Sequence, residues 1–94
     1  MDSKSILTHP QKLTLLSRTY CHLCDDMMAA LNIYQRCHQL QLEIEIVDID
    51  LNSVLEAQYG DKVPVLLGGE EEICHYFLDE SRLSAQLQKW YALE

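Results

Sequence analysis

Two cysteines three positions apart, Cys21 and Cys24, are the residues best equipped for chemistry in this sequence. The segment Cys21-His22-Leu23-Cys24 lies where a strand-like pattern hands over to a helix-like one. At a helix N-terminus the unpaired amide N–H groups and the helix dipole stabilise a thiolate. A thiol held there ionises more easily and becomes a better nucleophile. Cys21 is expected at the cap with its sulfur pointing outward. Cys24, almost one turn on, is within reach for a disulfide and more shielded. The natural division of labour makes Cys21 the attacking thiol and Cys24 the resolving one. Arg18, and His22 when protonated, would add positive potential beside Cys21. Asp25 and Asp26 oppose it. The plain alternative, two inert apolar fillers, fits less well with a C-x-x-C pair placed directly after a strand.

The elements that must position the pair can be read from periodicity. Residues 1–11 are polar and read as a loose tail ending in His9-Pro10. Lys12 to Ser17 alternates only partly, as in a mostly buried strand. Leu23, Met27, Ala30, Leu31, Tyr34 and Cys37 form one apolar stripe, so a helix should run from about Leu23 and fade near Gln39-Leu40. Leu42, Ile44 and Ile46 alternate with Glu43 and Glu45, a strand with an exposed acidic side suited to a sheet edge. Ser53 and Glu56 match a capping box, and the helix they open should stop at Gly60 in a left-handed conformation. Val63 to Leu67 and Glu71 to Tyr76 form a hairpin about Gly68-Gly69, with Glu70-Glu71-Glu72 at a solvated tip. Asp79 caps a last helix that buries Leu83, Leu87, Trp90 and Tyr91, and Leu78 staples onto Leu83. The order is β-α-β-α-β-β-α. Its first two strands should be parallel and its last two antiparallel.

Composition narrows the class of function. The 94 residues suit one compact domain, and 48% of them are apolar, as in a globular core. The net charge of −8 disfavours nucleic acid and anionic membranes as partners, since both select a basic surface. No run is long and apolar enough for a membrane helix, and no export signal is evident, so the expected compartment is the cytoplasm. In that reducing setting the four cysteines need not be structural staples. Cys37 and Cys74 are expected as buried small hydrophobes. His38 and His75 are expected to be partly exposed.

Arg18-Thr19-Tyr20-Cys21-His22-Leu23-Cys24 resembles the active-site segment of the glutaredoxins, with a basic residue three before the first cysteine and a tyrosine just before it. Val63-Pro64 resembles that family's Val-Pro step. The likeness covers roughly residues 12–91 and is greatest to short bacterial glutaredoxin-like proteins. It implies a thioredoxin-like α/β fold of glutaredoxin type, a four-stranded mixed sheet flanked by helices. It implies a cis Val63-Pro64 peptide facing the dithiol, with the Val63 N–H and C=O open to a substrate backbone. Arg18, Tyr20, Val63, Pro64 and the acidic cap Asp79 become candidate substrate-binding residues. Three departures stand out. His22 replaces the family's usual proline, and Lys62 a common threonine. The stretch His75 to Asp79, where the family has a glycine pair, has no glycine, and its bulky side chains disfavour a standard glutathione pocket.

The expected activity is thiol–disulfide exchange by a monomer, with a disulfide-containing protein or glutathione as partner. No bound cofactor and no metal are expected, with glutathione as a possible co-substrate. Two other readings use the same residues. The C-x-x-C thiolates could hold a metal or cluster, shared across a dimer. Alternatively, the fold is an interaction module with an idle dithiol.

Overall fold

The computed structural model describes residues 12–91; the tail expected at 1–11 lies outside them. Four strands form one mixed sheet in the order β2-β1-β3-β4. They are β1 (Lys12–Ser17), β2 (Glu43–Asp48), β3 (Val65–Gly68) and β4 (Glu71–His75). Between them run α1 (His22–His38), a 3-10 helix (Ile49–Leu51) and α2 (Ser53–Tyr59), and α3 (Glu80–Tyr91) follows β4. β1 pairs parallel with β2 and antiparallel with β3, and β3 pairs antiparallel with β4. β2 is therefore an edge strand, which suits the exposed Glu43 and Glu45. A register shift at Leu66/Leu67 puts both Ile73 and Cys74 of β4 into the same core.

The sheet has a deep side and a shallow one. Leu13, Leu15 and Leu66 pack against Met27, Leu31 and Tyr34 of α1 and Leu83, Leu87 and Trp90 of α3. A fully buried leucine or methionine there contributes roughly 1.5–3 kcal/mol. The two helices are also joined by a hydrogen bond between the hydroxyls of Tyr34 and Ser84, 2.6 Å long. Leu78 belongs to the same cluster as Leu83, as the staple requires, and Asp79 caps α3 by accepting from the Arg82 N–H at 3.1 Å. The side chain of Tyr91 lies outside those described. On the other side Leu16, Val65 and Leu67 meet Ile49, with Leu55 and Tyr59 of α2 half-buried above them.

α2 itself buries no residue fully, so polar contacts must help to hold it. Arg18 supplies them from the end of β1. Its guanidinium donates to Asp50 at 2.7 Å, to Glu56 at 3.2 Å and to the Gly60 carbonyl at 3.0 Å.

That arrangement replaces two expectations at α2. The N-cap is Asn52, whose Oδ1 accepts from the Val54 and Leu55 N–H groups. Ser53 is inside the helix, and Glu56 turns to Arg18 instead of back to the cap. Gly60 is right-handed (φ −52°, ψ −34°), not left-handed. Its lack of a side chain serves close approach, because a Cβ would lie 2.5 Å from the Glu56 carbonyl oxygen. The hairpin turn falls at Gly69-Glu70, with Gly69 at φ 64°, so Glu71 and Glu72 belong to β4.

Cys37 is exposed, not buried. The apolar stripe of α1 drifts with the helical period, and the position continuing it past Tyr34 is His38, whose ring stacks on Tyr34 at 4.2 Å. Cys74 is buried as expected, and burial raises its thiol pKa. His38 is exposed, while His75 is half-buried and bonded to Glu72 at 2.6 Å.

Two outcomes follow from this packing. With the dithiol oxidised, a maleimide should label Cys37 in the native protein and reach Cys74 only after denaturation; mass spectrometry of digested protein reads both. Replacing Arg18 by Met should cost about 1 kcal/mol, since pairs this exposed are largely screened, and lower Tm by roughly 4–8 °C. Hydrogen exchange should show the loss concentrated in Ser53–Tyr59, with α1 and α3 still protected.

Candidate redox-active site

Sheet direction gathers the candidate residues at one end. The pairs Ser17↔Asp48, Leu16↔Val65 and Val65↔His75 align the ends of β1, β2 and β4 with the start of β3. The loop before Cys21, the turn at Asp48–Asp50, Val63-Pro64 and the segment 76–79 all emerge there.

The dithiol sits where β1 becomes α1. Tyr20 takes a left-handed φ of 59° and turns the chain, leaving its ring almost fully exposed. Left-handed backbone costs a non-glycine residue roughly 1–2 kcal/mol. The loop is held from behind by Arg18 and by a 3.4 Å contact from the Thr19 hydroxyl to Asp48. Cys21 is then the N-cap, with extended backbone (φ −112°, ψ 106°). Its Sγ accepts from the Cys24 N–H at 3.1 Å, so a sulfur satisfies one of the helix's orphan donors. The Cα atoms of Cys21 and Cys24 lie 5.2 Å apart and the pair is joined as a disulfide. Cys21 is half-buried, and Cys24 is 5% exposed. The arrangement can hold a thiolate at Cys21 when reduced, and close on itself when oxidised.

The charges around the pair are mixed. Arg18 lies at the same end of the sheet, but its charge faces two carboxylates, Asp50 and Glu56. His22, Asp25 and Asp26 are exposed on the first turn or just beyond it. Among the described residues, no three His, Cys, Asp or Glu side chains converge as a metal site. No helix there is long and apolar enough to cross a membrane.

The Val63-Pro64 peptide is cis, as the resemblance implied. Pro64 is buried at the mouth of β3, and continuing the β1–β3 register puts it level with Ser17. Among the described residues the Val63 N–H and C=O take no hydrogen bond, whereas the Pro64 carbonyl accepts from the Tyr76 N–H at 2.8 Å. The segment after β4 contains left-handed Tyr76 (φ 68°) and exposed Phe77. It borders an open depression of about 480 Å³ that reaches the first turn of α3, with Cys74 at its floor and Asp79, Ser81 and Arg82 on its walls. Asp79 takes part there as a helix cap.

Sequence reasoning missed Asp50, Glu56 and Tyr76. The two acids matter only through contacts with Arg18, across 32 and 38 residues, for which a single sequence carries no signal. Tyr76 reads as the last residue of a strand, and its left-handed backbone has no sequence mark comparable to glycine.

Comparison with known proteins agrees with this geometry. A sequence profile of the glutaredoxin-like domain family (DUF836) matches residues 12–88. Protein Ne2328 from Nitrosomonas europaea, solved by NMR, is 41% identical, with a TM-score of 0.71 over 81% of this chain and 89% of that one. Protein XcR50 from X. campestris, solved by X-ray crystallography, is 36% identical, with a TM-score of 0.64 over 82% and 96% of the two chains. Thioredoxin 1 from Thermosipho africanus shares the fold at 20% identity, with a TM-score of 0.54 over 87% of this chain and 96% of that one. With the profile spanning the sheet, the dithiol and the cis-proline step, the chain belongs to the glutaredoxin-like domain family and has a thioredoxin-like fold.

Proposed function

We propose that this chain is a thiol–disulfide oxidoreductase that reduces disulfides in proteins or mixed disulfides with glutathione. The observation that carries the reading is the pair itself: two cysteines at disulfide distance on a helix N-terminus, one more accessible than the other. A buried structural staple needs neither the helix end nor the unequal exposure.

The chemistry balances in two exchanges. The Cys21 thiolate attacks one sulfur of the substrate disulfide, forming a Cys21–substrate bond and expelling the other sulfur as a thiolate that takes up a proton. Cys24, losing its proton, then attacks the Cys21 sulfur. The substrate leaves as its second thiol, and Cys21 and Cys24 are left as a disulfide. Two electrons pass from protein to substrate. A dithiol reductant or two glutathione molecules return them by the reverse exchange.

The remaining candidates have positioning roles in this scheme. The free Val63 N–H and C=O can pair with the substrate main chain in the manner of an added strand. Tyr20, fully exposed beside Cys21, offers an aromatic face to it. Arg18 braces the loop that carries the pair. If glutathione serves, its glutamyl carboxylate belongs at the N–H groups of the turn capped by Asp79, beside the open depression. The chain would act as a monomer in the cytoplasm, where thiols are kept reduced.

The test is disulfide reduction measured in two coupled assays, one regenerated by glutathione and its reductase, the other by thioredoxin reductase. Turnover in either supports the proposal and identifies the reductant. Cys21→Ser should abolish turnover, and Cys24→Ser should accumulate a mixed disulfide detectable by intact-mass spectrometry. Full activity in Cys21→Ser would sink the scheme. Inactivity in both assays favours an interaction module, and stoichiometric metal in freshly purified protein a metal-binding role.

A further inference from the structure

In the short stretch between α2 and β3 most carbonyls take a hydrogen bond, and among the described residues those of Lys62 and Val63 take none. The Tyr59 carbonyl accepts from the Lys62 N–H at 2.8 Å. The Gly60 carbonyl accepts from Arg18 at 3.0 Å. The Asp61 carbonyl accepts from the Tyr76 phenol at 2.6 Å, and the Pro64 carbonyl from the Tyr76 N–H at 2.8 Å. Tyr76 thus holds the chain two residues before Val63 and one residue after it. Val63 lies between the two anchors with its own N–H and C=O unpaired among the described residues.

Tyr76 occupies this place against its local preference. Its φ of 68° suits glycine, and a tyrosine there carries a backbone cost. A glycine would keep the main-chain bond to Pro64 without that cost but would lose the phenol. The Tyr76 ring, partly exposed, also meets the ring of His75 edge-on at a centroid distance of 4.7 Å. His75 is in turn bonded to Glu72 at 2.6 Å. A continuous set of contacts therefore runs from β4 through the Tyr76 ring to the loop.

We propose that Tyr76 is a positioning residue, which clamps the 61–64 loop so that the Val63 edge is presented to an extended polypeptide carrying the disulfide. This inference rests on the oxidoreductase reading and deepens it by naming the substrate class. An N–H and a C=O offered together recognise main chain, so the clamp matters for a peptide substrate. A small disulfide without peptide groups needs only the thiols.

The experiment uses the Cys24→Ser protein and follows mixed-disulfide formation at Cys21 with two probes. One is a disulfide-bonded peptide of about ten residues on each side; the other is 2-hydroxyethyl disulfide. Tyr76→Phe removes the phenol bond and leaves the ring and the main chain. It should slow the peptide reaction by about 2- to 10-fold, the effect of one hydrogen bond, and leave the hydroxyethyl disulfide reaction within about twofold. Tyr76→Gly should show the same selective loss even though it relieves the backbone. Thermal unfolding of each variant checks that the fold is retained. Equal slowing of both probes, no slowing of either, or an unimpaired Tyr76→Gly overturns the inference and leaves the oxidoreductase reading in place. Failure of the Cys24→Ser protein to react with either probe overturns both.

Discussion

The Cys21 sulfur accepts a hydrogen bond from the Cys24 N–H, and the site is built outward from that contact. It makes a sulfur do the work that a serine or aspartate oxygen does at most helix starts. For the contact to exist, α1 must begin at His22, and β1 must end just short of it. β1 is paired on both sides, by β2 and by β3, so its end cannot drift. The left-handed Tyr20 then aims the chain into the helix. The side chains that bury α1, from Met27 to Tyr34, keep its N-terminus facing the same end of the sheet. The reactive group thus inherits its position from a strand paired on both sides and a helix buried against the core.

Charge is distributed around the site more economically than the composition suggests. Arg18 is the basic residue nearest to Cys21 in sequence on the β1 side, and a direct effect on the thiol was the simple expectation. Its guanidinium instead meets Asp50, Glu56 and the Gly60 carbonyl. The helix end remains a source of positive potential for a Cys21 thiolate. The same contacts bind α2, which has little apolar surface of its own in the core, to the loop that leads to the dithiol. One side chain couples the shallow side of the sheet to the reactive end.

Much of the site was legible because its parts are local. The C-x-x-C spacing, the strand before it and the apolar stripe after it lie within one stretch of chain. Helical and strand periods differ enough to mark the handover. Asp79 was recognisable as a cap for the same reason, since its bond reaches only three residues ahead. Local rules failed where a long-range partner competed. Glu56 was expected to turn back onto the start of α2, yet Arg18 offers it a charged partner, and Asn52 takes the cap. Cys37 fell on the extrapolated stripe of α1, but the core ends at Tyr34 and the face has rotated by then.

The sequence by itself determined the element order, the edge position of β2, the placement of the dithiol at a helix start and, through resemblance, the cis Val63-Pro64 step. These depend on residue type and short spacing, where backbone geometry leaves few choices. Tertiary structure decided which residues surround the dithiol. Sheet pairing brought Tyr76 and Asp61 together from positions fifteen apart, and Arg18 to Asp50 from thirty-two apart. A single sequence does not encode such contacts visibly, because each depends on packing the whole sheet before its partners can meet.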